Sequence, residues 1–198
     1  MSIETVTPPA TEPVSLAEAK ARLRVEHDDE DALITTLVSA GRERVEAITG
    51  RALITRRVRE LRDGWRDGGR LAAHGSQFRL GLAPVSAVHH VKTYGADDVA
   101  ETFDAANYFA DTASIPARLA LRGGALWPTP GRCSSGVEIE YDAGYGADGD
   151  TVPYALREAI LLLVADAYEH RGASDGGDEA EPPLAVQGLL APFVRVRL

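Results

Sequence analysis

Apolar residues recur at two different periods along the chain, and the change of period separates helical ends from a β middle. Leu16, Ala19 and Leu23 share one helix face. They follow Ser15-Leu16-Ala17-Glu18, a capping box in which the Ser15 hydroxyl accepts a backbone N–H and the Glu18 carboxylate reaches back. Leu33, Ile34, Leu37, Val38, Gly41, Val45 and Ile48 keep the period of an amphipathic helix. Asp28, Asp29 and Asp31 put negative charge where that helix begins, as its dipole favours. Gly50 is a stop just past its end. Two helices are therefore expected within 15–49.

From 53 to 146 the period shortens. Ile54 to Leu61 alternates, with Ile54, Arg56, Val58 and Glu60 on one side and Thr55, Arg57, Arg59 and Leu61 on the other. Gln77–Leu82, Val85–Tyr94, Arg118–Leu121 and Val137–Tyr141 are further strands, separated by Gly, Pro, Asp and Ser clusters. In Val137-Glu138-Ile139-Glu140-Tyr141 one side is apolar and the other acidic, which predicts one buried and one wet face. A small, mostly antiparallel sheet is expected here. Helix returns over 152–171, with Thr151 or Val152 as cap and Pro153 in the first turn, where its missing N–H costs nothing. Leu156, Ile160, Leu163, Val164, Ala167 and Tyr168 form a stripe that Leu161 and Leu162 widen, so this helix is covered on more than one side. The fold class is α+β, a helical bundle with an inserted sheet, and residues 1–171 read as one domain.

Both ends differ from this. Residues 1–13 carry three prolines and read as an extended arm. Residues 172–181 are rich in Gly, Asp and Glu with no compensating base, a self-repelling linker. Residues 182–198 then carry Leu184, Val186, Leu189, Leu190, Phe193, Val194, Val196 and Leu198. A free tail this apolar is costly in water, so it is expected to dock on its own core or on a neighbour. Removing Leu184–Leu198 is expected to leave a folded chain.

Composition narrows the function. The formal net charge of −9 argues against a protein that holds nucleic acid, which needs clustered Lys and Arg. The basic stretch Arg56, Arg57, Arg59, Arg62, Arg66 and Arg70 reads as a solvated face or as a partner for acidic patches on a neighbour. Cys133, the single cysteine, excludes a disulfide framework and suits a reducing compartment. Beside Arg132 it reads as a loop cysteine more readily than as an activated thiol. His89 and His90 are adjacent on a strand and point to opposite faces, so they do not chelate one metal together. His27, His74 and His170 are isolated, and no zinc spacing accompanies them. Asp142-Ala143-Gly144-Tyr145-Gly146 lacks the pattern of a phosphate loop, and Asp28–Asp31 lacks the spacing of a calcium loop. No nucleophile elbow is present. No catalytic residue, metal or cofactor is expected, no segment is apolar enough to span a membrane, and the chain is not expected to be an enzyme.

The ordered elements resemble the head–tail connector (adaptor) family of long-tailed phages, prophages and gene transfer agents. The resemblance rests on Val14–Lys20 with Leu23-Arg24-Val25, on Asp28–Asp31 with Leu33, Ile34 and Leu37, and on Val45–Ile54. It continues through Leu82-Ala83-Pro84-Val85 with Val88 and Val91, Leu126-Trp127-Pro128, Val137–Gly146, and Val152-Pro153 with Leu156, Ala159–Leu163 and Tyr168–Arg171. It implies a structural adaptor in a homo-oligomeric, dodecameric ring at the neck of the particle, assembled in the bacterial cytoplasm. The ring would lie beneath the portal protein, extend the DNA channel and offer a platform to a stopper or other tail-side neck protein. Duplex DNA would pass without specific binding. The resemblance also assigns portal binding to the C-terminal segment, here Leu189, Leu190, Phe193, Val194, Arg195, Val196, Arg197 and Leu198. A stopper or tail-completion protein, and more distantly a small hydrolase or nuclease, are the alternatives.

Overall fold

The helix signals become helices in the computed structural model, which describes residues 1–67, 70–71, 77–170 and 181–194. Helix α1 (Leu16–Leu23) starts at Ser15, whose hydroxyl accepts from the Glu18 N–H while Glu18 Oε2 accepts from the Ser15 N–H at 2.8 Å. Helix α2 (Asp31–Thr49) ends at Gly50, whose φ of 64° is the left-handed conformation that glycine adopts without a Cβ clash. The acidic run ahead of α2 has a partner the sequence did not announce: Lys20 Nζ reaches Asp28 at 2.6 Å and Asp31 at 2.7 Å. Helix α3 (Tyr154–Glu169) begins two residues after the expected 152, with Pro153 itself in the capping position. A fourth helix, α4 (Leu184–Leu190), occupies the stretch expected to be a tail.

Chain contacts divide the molecule into two units. One, residues 10–54 with 145–198, is helical. Its core gathers Ile34, Val38 and Val45 from α2, Leu156, Ala159, Ile160 and Val164 from α3, and Leu53, Ile54, Val152, Val186 and Leu190. Gly41 lets α2 and α3 approach, because a Cβ there would stand 3.3 Å from Ile160 Cγ2.

The other unit, residues 1–9 with 55–144, is built of strands. Those described are β1 (Ser2–Thr7), β2 (Arg56–Arg62), β3 (Arg66–Asp67), β4 (Arg70–Leu71), β5 (Gln77–Arg79), β6 (Val85–Tyr94), β7 (Ala100–Thr102), β8 (Tyr108–Asp111), β9 (Arg118–Leu121) and β10 (Val137–Ala143). They form a five-stranded sheet ordered β1-β2-β10-β6-β7, a three-stranded sheet β5-β9-β8 and the hairpin β3-β4, and every paired strand is antiparallel to its neighbour. The segment read as an extended arm is in fact edge strand β1, pairing Ile3 with Glu60 and Thr5 with Val58. Alternating β-branched residues make it a strand, and Pro8-Pro9 end it because proline cannot continue the ladder.

One expectation for the sheet is corrected. The acidic side of β10 is not wet: Glu138 is only 4% exposed, covered by His90, Tyr94, Arg59 and Lys92. The arginines of β2 have carboxylate partners within the sheet: Arg57 pairs with Asp142 at 3.0 Å and Arg59 with Glu138 and Glu140 on this face, and Arg62 with Glu60 on the other. Arginines of β2, carboxylates of β10 and cations of β6 offset one another's charge on the first face. Between the strands, Trp65 stacks on Trp127 at 4.2 Å and meets Phe78 edge-on at 5.2 Å, an aromatic centre that period alone does not reveal.

Candidate functional site

The C-terminal segment begins with Pro182-Pro183, which cannot be helix interior and which position the first turn of α4. The Pro183 carbonyl accepts from the Gln187 N–H at 3.0 Å and the Pro182 carbonyl from Gln187 Nε2 at 2.7 Å. Val186 and Leu190 lie one helical turn apart and insert into the helical core at 0% and 1% exposure. Leu189 and Phe193 pack partly against that core, while Leu184 stays 84% exposed and Val194 41%. A tight turn, Ala191–Phe193, closes the helix, and the Val194 N–H donates to the Leu190 carbonyl at 3.2 Å.

One arginine fastens the end of this segment. Arg51 Nε donates to the Phe193 carbonyl at 3.1 Å, its guanidinium lies 5.3 Å from the Phe193 ring centroid, and Nη1 donates to the Tyr145 hydroxyl at 2.9 Å. Local folding explains its place. Gly50 turns the chain, Glu46 Oε1 accepts from the Leu53 N–H at 2.8 Å, and the Leu53 carbonyl accepts from the Tyr145 N–H at 3.1 Å. These bonds hold the Arg51 backbone still and bring Tyr145 beside it.

The expected docking residues thus separate. Leu190 fills its own subunit's core; Leu189 and Phe193 half-bury beside it; Val194 remains at the surface. Arg195, Val196, Arg197 and Leu198 lie outside the described residues, as do the linker positions 172–180, His74 and the Arg66 and Arg70 side chains. Cutting the chain before Leu184 would strip Val186 and Leu190 from the core, so that truncation is corrected: it would expose apolar surface and not leave an intact fold. Arg51 was not singled out from the sequence. The signal available was an arginine directly after a helix-ending glycine and inside an apolar run, Arg51-Ala52-Leu53-Ile54, where a charge is buried only if partnered.

Elsewhere several titratable residues are paired. His89 Nε2 lies 2.7 Å from Asp142 and His90 Nε2 lies 2.9 Å from Glu138. Burial pushes the Glu138 carboxyl up, but hydrogen bonds from Tyr94 and His90 and the charges of Arg59 and Lys92 outweigh it and hold the group below its ordinary value. Asp142 follows the same logic, with burial opposed by Arg57 and His89. Cys133 is exposed in a loop. Among the described residues, no group of three or more His, Cys, Asp or Glu side chains is placed to hold a metal, and no helix is long and apolar enough to cross a membrane.

The architecture is a mixed scaffold of packed helices and paired sheets, with an apolar C-terminal helix anchored in the helical core. Residues 13–74 match the family model described as phage gp6-like head-tail connector protein. Three solved structures align over the whole chain and 97% of their own. A chain from the neck of an empty gene transfer agent particle computed with C6 symmetry shares 29% identity at a TM-score of 0.80. One from the virion of a native gene transfer agent particle shares 27% at 0.78. One from the neck of a native particle computed with C12 symmetry shares 28% at 0.76. No curated protein sequence matches the chain. The chain is similar over 13–74 to phage head–tail connector proteins and over its whole length to neck chains of gene transfer agents, and its role is that of a structural neck connector.

Proposed function

We propose that this connector works as one subunit of a dodecameric ring beneath the portal, extending the DNA channel and giving tail-side neck proteins a platform. Its partners are then its own copies, the portal protein and a stopper or similar neck component. The ring assembles in the bacterial cytoplasm and functions at the neck of the finished particle. The observation that carries this reading is end-to-end likeness, over all of this chain, to chains from neck structures computed with twelvefold and sixfold symmetry. A contact between two different faces of one subunit, repeated about an axis, closes such a ring. The excess of acidic residues supports passage without capture, because a negative wall repels duplex DNA.

In this reading portal contact falls to the C-terminal segment Leu189–Leu198. Leu190 serves as its internal anchor, Leu189 and Phe193 flank the anchor, and Val194, Arg195, Val196, Arg197 and Leu198 make the contact. Many copies engaging at once multiply a weak single contact. The test is to remove Arg195–Leu198, which leaves α4 and its buried residues in place, and to mix the protein with tail-less heads carrying the portal. Negative-stain images should show a collar below the portal with the full chain and bare heads with the truncated one. Equal collars in both would overturn the assignment of portal contact to these residues.

A further inference from the structure

We infer that Arg51 is a positioning residue, a clamp that fixes the root of the C-terminal segment so that the residues beyond Val194 are presented from a defined point. The inference rests on the portal-contact reading of that segment. Arg51 is 9% exposed, yet the partners described for it are a backbone carbonyl, a phenol and an aromatic face. A core arginine kept only for stability is ordinarily satisfied by a carboxylate, as Arg42 is here by Glu12 and Glu46. Arg51 instead spends its planar fork on joining three stretches of chain far apart in sequence.

Those stretches are informative. The first, 50–54, leads out of the helical unit, and the second, at Tyr145, leads back into it, with Ile54 and Gly146 bridged in parallel. The third is Phe193, in the turn that closes α4. The grip falls C-terminal to the buried anchor Leu190. Upstream, Val186 and Leu190 already hold α4 by burial. Downstream of Leu190, the described hydrogen bonds are the Ala191 N–H to Gln187, the Val194 N–H to Leu190 and the Arg51 bond to the Phe193 carbonyl. The first two are local to the helix end; of the three, the Arg51 bond ties the segment to a distant part of the unit. Fixing the root also lowers the ordering cost of docking, because part of the segment's freedom is removed before a partner arrives.

The experiment uses the full-length protein carrying Arg51→Gln or Arg51→Lys. Glutamine removes the charge and shortens the side chain; lysine keeps the charge but replaces the planar fork with a single ammonium nitrogen. Amide hydrogen exchange over Leu189–Val194 should quicken by about tenfold to a hundredfold in the glutamine protein, the loss expected for a hydrogen bond to a charged donor. Exchange in α2 and α3 serves as the internal reference and should change far less. Collar formation on portal-bearing heads should then need about tenfold more glutamine protein, and the lysine protein should recover part of both effects. Unchanged exchange over Leu189–Val194 overturns the clamp. Faster exchange with undiminished collar formation overturns its role in presentation. Failure of the portal-contact reading is recognised separately, since collars would then survive removal of Arg195–Leu198; loss of collars in that truncation, with full collars in Arg51→Gln, sinks the clamp alone.

Discussion

Glu60 shows how much a single residue can carry in this protein. It sits on β2 at 0% exposure, where alternation alone would give an apolar side chain. Its carboxylate accepts from the Tyr141 hydroxyl at 2.7 Å and the Gly81 N–H at 2.8 Å, and pairs with Arg62. Burial, with Glu60 beside it, pushes the Tyr141 phenol far above its ordinary value, so the hydroxyl stays a donor throughout the accessible pH range. Glu60→Ala leaves these groups unpaired and should cost about 3–5 kcal/mol, whereas Tyr141→Phe should cost about 1–2 kcal/mol; urea denaturation separates the two. Glu138 and Asp142 contribute to the acid limb. Their carboxyls are held below their unfolded values. The unfolded chain therefore binds more protons as pH falls, and the stabilisation, complete above the unfolded values, is lost as pH drops through the folded ones. Melting temperature should fall on acidification below about pH 4.5, near the ordinary carboxylate range. Glu138→Gln with Asp142→Asn should flatten that fall, and a limb of unchanged steepness would contradict it.

Among the elements, α4 has the most divided role. Leu190→Ala should destabilise the chain by about 2–5 kcal/mol, as core truncations do. Leu184→Ser, at a position in the open, should change stability by less than about 0.5 kcal/mol. Equal effects in thermal melts would mean that α4 does not pack as described. The crossing of α2 and α3 is as specific. A side chain at Gly41 meets Ile160 and Val164, so Gly41→Val should cost about 1–3 kcal/mol through overpacking.

For the molecule as a whole, charge and assembly decide behaviour. A chain of net charge −9 whose β2 arginines are already paired has little to offer phosphate. Fluorescently labelled duplex DNA should show no saturable binding at about 0.15 M salt. Tight, salt-sensitive binding would contradict passage through the ring without capture. If the ring closes through contacts between identical copies, sedimentation should show larger species as protein concentration rises, with or without portal.

The sequence by itself determined whatever depends on near neighbours. The Ser15–Glu18 cap, the Gly50 stop, the period of α2 and α3 and strand β6 from Val85 to Tyr94 are set by local hydrogen bonding and by which face must leave water. The alternation on β10 was equally legible, but whether its acidic side met water was not. Burial of Glu138 depends on arginine, lysine, histidine and tyrosine arriving from two other strands. The same holds for β1, whose partner lies more than fifty residues away, and for the short β7 and β8, too brief to show a period. The C-terminal segment carries the lesson furthest. Its hydrophobicity required burial, a requirement that composition states without naming a place. Tertiary structure supplied the place, a slot beside α2 and α3 for Val186 and Leu190, because only the folded chain brings Arg51, Tyr145 and Phe193 within reach of one another.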